Sequence, residues 1–201
     1  GYENFPGVNV DYDPYINVTV PAGTLSTYIR GKFEVEDPTA FNQLLVRMRY
    51  DDGFVAYLNG VEVARVNATA SLAYDSGATT THDDGSAILY QDFDITAHMS
   101  ALVAGENVLA IHALNYLTTS NDFLIQFTVV GREEVPAGPL PVPIYYTTDG
   151  SDPRVPVGLG NVITLVGPNA AARALVPTSD IGTNWRNVGF EHTAWTAGTT
   201  G

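Results

Sequence analysis

The residues best equipped for chemistry are aspartates paired on turn-forming sequence: Asp11 and Asp13, Asp51 and Asp52, Asp83 and Asp84, Asp149 and Asp152, each pair beside a glycine or a proline. Calcium takes six to eight oxygens, and closely spaced loop carboxylates with backbone carbonyls can supply them. Ca2+ is therefore the candidate cofactor, with Asp51, Asp52, Asp83, Asp84, Asp149 and Asp152 as candidate ligands. None of these runs has the twelve-residue helix–loop–helix calcium pattern. The competing reading is that Asp–Gly is good turn chemistry in its own right. Aromatic rings are the second resource. Tyr12, Tyr15, Tyr74 and Tyr116 are candidates for stacking on sugar rings, with Tyr90 also available. Extracellular glycan is thus a candidate partner, against the alternative that aromatics in a β-protein face the core or line strands.

Catalysis finds little footing. His82, His98, His112 and His192 are scattered without metal-ligand spacing, and there is no Gly-x-Ser-x-Gly elbow and no phosphate-cradling glycine loop. The expectation is a protein that is not an enzyme. Twenty-two acidic residues against 9 basic ones give a net charge of -13. Such a surface repels nucleic acid and anionic lipid and attracts cations. No apolar run approaches the roughly 18 residues of a membrane-spanning helix, so no membrane insertion is expected. Cysteine is absent and Lys32 is the only lysine. A cysteine-free, lysine-poor chain rich in Thr, Asn, Gly and Asp fits a bacterial extracellular protein. The opening GYENFPG has no signal-peptide character, which fits a mature or excised fragment and also a cytosolic protein.

The elements that must position these residues are short strands. Residues 28–35 and 44–50 alternate apolar and polar; in the second run Leu44, Val46, Met48 and Tyr50 face one side and Arg47 and Arg49 the other. Asp51-Asp52-Gly53 turns the chain, residues 54–58 return, and Asn59-Gly60 closes a primed hairpin onto residues 61–66. Residues 68–86 read as a long surface loop, 87–93 as a strand, and 97–102 as a turn or two of helix capped by Asp94 or Thr96. Strands follow at 108–114 and 123–130, the latter apolar enough to be central. The proline-rich stretch 132–143 reads as an extended linker. Strand-like runs recur at 162–166 and 171–176. The fold class expected is all-β, an antiparallel sandwich, because short strands separated by turn signals with only traces of helix do not make βαβ units.

The segment Tyr50-Asp-Asp-Gly-Phe-Val-Ala-Tyr-Leu-Asn-Gly-Val-Glu-Val63 resembles the hairpin of galactose-binding-like jelly rolls, and Gly105-Glu-Asn-Val-Leu-Ala-Ile-His112 resembles a later strand of the same modules. Such modules accompany large bacterial surface proteins and some glycoside hydrolases. The resemblance implies a jelly roll over residues 1–131. Ile144-Tyr-Tyr-Thr-Thr-Asp-Gly-Ser-Asp-Pro-Arg154 resembles the small immunoglobulin-like domain at the C-terminus of chitobiases, which implies a small, partial β segment over 144–176. In relatives of the jelly roll, a segment like Trp185…Phe190…Trp195…Gly198 precedes a Gly-Tyr and the first strand, whereas this chain begins Gly1-Tyr2. The resemblance therefore implies that residues 177–201 correspond to the start of a next copy. Trp185, Phe190, Trp195 and Tyr2 would then pack between neighbouring copies, in a tandem array or a filament. The alternative is that the tryptophans pack on their own sandwich. Two functions follow: a non-catalytic extracellular structural or adhesive repeat whose partner is itself, or a carbohydrate-binding module of a secreted glycan-active protein.

Overall fold

The computed structural model describes residues 18, 20–120, 123–133 and 161–200. Two antiparallel sheets face one another. The six-stranded sheet has the order β10-β9-β1-β6-β3-β4, built from β1 (Ser26–Val35), β3 (Gly53–Leu58), β4 (Val61–Val66), β6 (Gly105–Leu114), β9 (Ala171–Leu175) and β10 (Thr196–Thr199). The four-stranded sheet has the order β5-β2-β7-β8, built from β2 (Phe41–Asp51), β5 (Gln91–Asp94), β7 (Leu124–Glu133) and β8 (Val162–Val166). The expected all-β sandwich is what forms.

Side chains alternate across each strand, and the inward sets meet in one core. Phe54, Ala56 and Leu58 of β3, Leu109, Ile111 and Ala113 of β6, Leu44, Val46 and Met48 of β2, and Phe127 and Val129 of β7 are all buried there. Each large side chain so buried contributes about 1.5–3 kcal/mol relative to exposure. Within the four-stranded sheet the Phe41 ring of β2 lies across Gly131 of β7, where a Cβ would sit 2.6 Å from that ring. β7 lies between β2 and β8, the central position its apolar sequence calls for.

The helical traces are small. Pro38–Ala40 and Thr96–Ala101 are 3-10 turns, each entered through an aspartate: Asp37 accepts from the Thr39 amide and Asp94 from the Thr96 amide. The strand expected over 87–93 is shorter and later, because Asp83 caps a four-residue helix, α1 (Asp84–Ala87), leaving only Gln91–Asp94 to pair with β2.

Two motifs read separately in the sequence touch. Asn59 and Gly60 both have positive φ, as a primed turn requires. The Asn59 side chain then donates to Asn107 Oδ1 at 2.7 Å and to the Ala101 carbonyl at 2.8 Å, and accepts from the Val108 amide at 2.8 Å. Asn107, fully buried, also ties the entry to β6 through Val103 and Gly105. The hairpin and the Gly-x-Asn strand form one hydrogen-bonded junction.

The C-terminal region differs from the expected division. Residues 162–166 and 171–175, placed by the sequence in a small segment of their own, are strands of the two sheets: β8 extends the β7 edge, and β9 pairs with β1. β7 itself runs to Glu133, whose amide donates to the Asn161 carbonyl at 3.0 Å. Burial drives the placement, since β8 and the residues around it close the core beside Val129. The remainder of the expected linker and residues 144–160 lie outside the described residues.

Candidate functional site

One end of the sandwich is a cluster of loops organised by Asp52. The strands β2 and β3 meet at Asp51-Asp52-Gly53, where the Asp51–Asp52 peptide is cis. The Asp52 carboxylate, 5 % exposed, accepts from the His82 amide through one oxygen and from the Tyr116 amide through the other, each at 2.8 Å. Its backbone is held too: the amide donates to the Leu114 carbonyl, and the carbonyl accepts from the Asn67 side chain. His82 stacks on Tyr50 at 4.3 Å between centroids and reaches the Tyr50 carbonyl with Nδ1. Gly53 is required here, because a Cβ would come within 2.8 Å of the Val66 carbonyl oxygen. One carboxylate thus pins the loop after β4 and the loop after β6 to the β2–β3 turn.

Asp52→Ala is expected to destabilise the chain by about 3 kcal/mol, since two buried amides lose a charged acceptor. Chemical unfolding measures the loss, and hydrogen exchange should show the His82 and Tyr116 amides opening first. Unchanged exchange at both amides would contradict the role given to Asp52.

The aspartates expected as calcium ligands are placed as follows. Asp52 spends both oxygens on backbone amides, and Asp83 caps α1 through the amide and hydroxyl of Ser86. Asp51 is buried, and Asp84 lies exposed in the first turn of α1. Among the described residues no three His, Asp or Glu gather as a metal-binding group. Asp149 and Asp152 lie outside the described residues.

Of the tyrosines proposed for sugar stacking, Tyr116 is 40 % exposed and next to Leu117 at 51 %. It projects from the loop that Asp52 fixes. Tyr74 is half-buried and packs instead on a second apolar cluster on the outer face of the six-stranded sheet. Tyr2, Tyr12 and Tyr15 lie outside the described residues.

That second cluster is where the tryptophans sit. Tyr28 of β1, Val55 and Tyr57 of β3, and Val108 and Ala110 of β6 point outward, and residues between β9 and β10 fold over them. Trp185 is fully buried, stacked on Tyr28 with centroids 4.1 Å apart, and Trp195 and Phe190 close its flank. Arg30, also fully buried, donates to the carbonyls of Trp185 and Asn187 and, through Nε, to His192 Nδ1 at 2.8 Å. The contacts of Trp185, Phe190 and Trp195 described here are made within the chain. Beneath them, burial raises Tyr28 to about 12 and lowers His112 to about 3. His112 Nε2 is hydrogen-bonded to the Ser26 hydroxyl.

A further polar constellation occupies the outer face of the four-stranded sheet. Arg47 Nε donates to Asp92 at 2.7 Å across β2 and β5, and Arg49 Nη1 donates to Gln126 at 2.9 Å across β2 and β7. The Tyr90 ring lies under both guanidiniums, 4.2 Å from Arg49 and 5.4 Å from Arg47. The alternation of β2 placed the two arginines on the outer side; their partners depended on strand pairing between residues 45 to 77 positions apart.

A scan of protein-family models and a search of the curated proteins each return no match. Solved structures do match in fold. An α-L-rhamnosidase from Aspergillus terreus is 15 % identical with a TM-score of 0.50, over 89 % of this chain and 19 % of that one. One from Streptomyces avermitilis, complexed with L-rhamnose, is 15 % identical with a TM-score of 0.49, over 90 % of this chain and 13 % of that one. A lectin from Pleurotus ostreatus in complex with GalNAc is 13 % identical with a TM-score of 0.46, over 88 % of this chain and 38 % of that one. This chain therefore spans well under half the length of each. What the Aspergillus terreus structure shares with this chain is the fold alone, an antiparallel β-sandwich. Among the described residues no helix is long and apolar enough to cross a membrane.

Proposed function

We propose that this chain is a non-catalytic carbohydrate-binding module of a larger, secreted glycan-active protein. The observation that carries the proposal is Tyr116, an exposed ring whose backbone is fixed by the buried Asp52 carboxylate. A sugar presents an apolar face of C–H groups, and a pre-positioned aromatic gains that contact with little ordering cost. Leu117 widens the apolar surface, and the surrounding loops supply polar atoms for hydroxyls. The fold it shares with part of a rhamnosidase supports a module that rides on a larger chain. This support falls on the second of the two functions the sequence left open, rather than on the adhesive repeat.

Titration calorimetry against a panel of neutral mono- and oligosaccharides tests the reading. Binding in the micromolar to millimolar range is expected, with Tyr116→Ala weakening it about tenfold at unchanged melting temperature. Absence of binding across the panel, or affinity indifferent to Tyr116, overturns it.

A further inference from the structure

We infer that the outer face of the four-stranded sheet holds a second binding site, for a carboxylate-bearing saccharide, built from Arg47, Arg49, Tyr90, Asp92 and Gln126. The site lies on strands β2, β5 and β7, whose pairing holds the groups in fixed register: Arg47 opposite Asp92 and Thr128, Arg49 opposite Gln126.

Most basic residues elsewhere among the described ones are engaged in the structure, although Arg132 and Arg186 each keep a buried Nε without an acceptor there. Lys32 pairs with Glu106, and Arg65 pairs with Glu62 through two nitrogens. Arg30 and Arg173 hold backbone carbonyls of the C-terminal layer, and Arg186 lies 4.1 Å from the Tyr57 ring. Arg47 and Arg49 are the two that share one aromatic ring, Tyr90. Asp92 engages Nε of Arg47, leaving its terminal nitrogens without an acceptor among the described residues. Among the described residues Arg49 engages Gln126 through Nη1, and its buried Nε has no acceptor. The Tyr90 ring lies against both guanidiniums, and the terminal nitrogens of the exposed Arg47 side chain are left to a ligand.

Two parallel donors on a guanidinium edge match a carboxylate. The rest of the site selects the molecule that bears it. Asp92, roughly half exposed, accepts hydrogen bonds, so a hydroxyl beside the carboxylate finds a partner, while the buried Gln126 holds Arg49 in place. An acidic peptide brings carboxylates without hydroxyls and leaves the Asp92 acceptor unused. A uronate brings both. Leu89, 64 % exposed and adjacent to Tyr90, adds an apolar margin for a sugar C–H face. The net charge of -13 does not preclude this, because at physiological ionic strength charges beyond about 8 Å are largely screened and the nearby guanidiniums dominate.

The test titrates the intact chain with an oligouronate, with the same oligomer after its carboxyls are reduced to alcohols, and with an acidic peptide, at low and high salt. The oligouronate is expected to bind about tenfold or more tightly than either control, and to weaken as salt rises. Arg49→Gln is expected to lose about tenfold, and Arg49→Lys to recover only part of it. Asp92→Asn frees the Arg47 side chain and removes a negative charge, so it is expected to tighten oligouronate binding several-fold, a gain that misfolding cannot imitate. Tyr116→Ala is expected to leave oligouronate affinity unchanged, which separates this site from the loop site. Equal affinity for the reduced oligomer or the peptide overturns the inference. So does an Asp92→Asn variant that binds no better than the parent.

Discussion

Replacing Trp185 with alanine is expected to destabilise the chain by about 3–5 kcal/mol, a large share of the total stability of a domain this size. The indole is fully buried between Tyr28, Tyr57 and Trp195, and no smaller side chain fills that space. The loss extends beyond the cavity. Arg30 reaches the carbonyls of Trp185 and Asn187, so loosening that turn strands a buried guanidinium. Trp185→Phe keeps the stack on Tyr28 and is expected to lose about half as much. Among the described residues Trp185 Nε1 has no hydrogen-bond partner, so the phenylalanine forfeits volume but no polar contact there. Urea unfolding monitored by the remaining Trp195 measures both. A loss under about 1 kcal/mol for the alanine variant would mean that the outer layer contributes little to the fold.

The second large effect is on pH. Burial holds the folded-state pKa of His112 at about 3, with the charges of Arg186 and Arg65 pushing the same way, against about 6.5 for the unfolded chain. The unfolded chain therefore takes up the proton first. Stability from this residue is fully present above about pH 6.5 and is lost as pH falls toward 3, at about 1.4 kcal/mol per unit. Between about pH 6.5 and 5 the loss is about 2 kcal/mol. His192, lowered by burial and then by Arg30, adds to the loss in the same direction. Asp37 and Asp94, lowered by their hydrogen bonds to Thr39 and Thr96, act only below the ordinary carboxylate range, so this window isolates the histidines. Unfolding curves across it should show the slope, and His112→Gln should remove most of it while His192→Asn removes less. A parent protein equally stable at both ends of the window would contradict a neutral, buried His112.

How much of this was readable beforehand depends on the range over which each feature is decided. The period-two pattern of residues 44–50 put Leu44, Val46 and Met48 inside and Arg47 and Arg49 outside, and the structure agrees because a strand fixes facing by parity alone. Asn59-Gly60 announced its hairpin because only such residues take positive φ cheaply. Tyr116 could be named as a ring but not as an exposed one, since its exposure depends on Asp52, 64 residues away, holding its amide. The acidic pairs show the converse. Their spacing is equally good for a cation and for a turn, and only the positions of the His82, Tyr116 and Ser86 amides reveal where the oxygens of Asp52 and Asp83 are used.

Local sequence by itself determined the all-β class, the strands of the central sandwich, their inward and outward faces and the two tight turns. Each of these is fixed by alternation or backbone sterics within a few residues. The tertiary structure alone decided three things: that residues 162–175 complete the two sheets, that Trp185 seals an outer layer over Tyr28 and His112, and that Arg47, Arg49, Tyr90, Asp92 and Gln126 share one face. These are pairings between distant segments, and a strand's sequence states which side is apolar without stating which other strand will lie beside it.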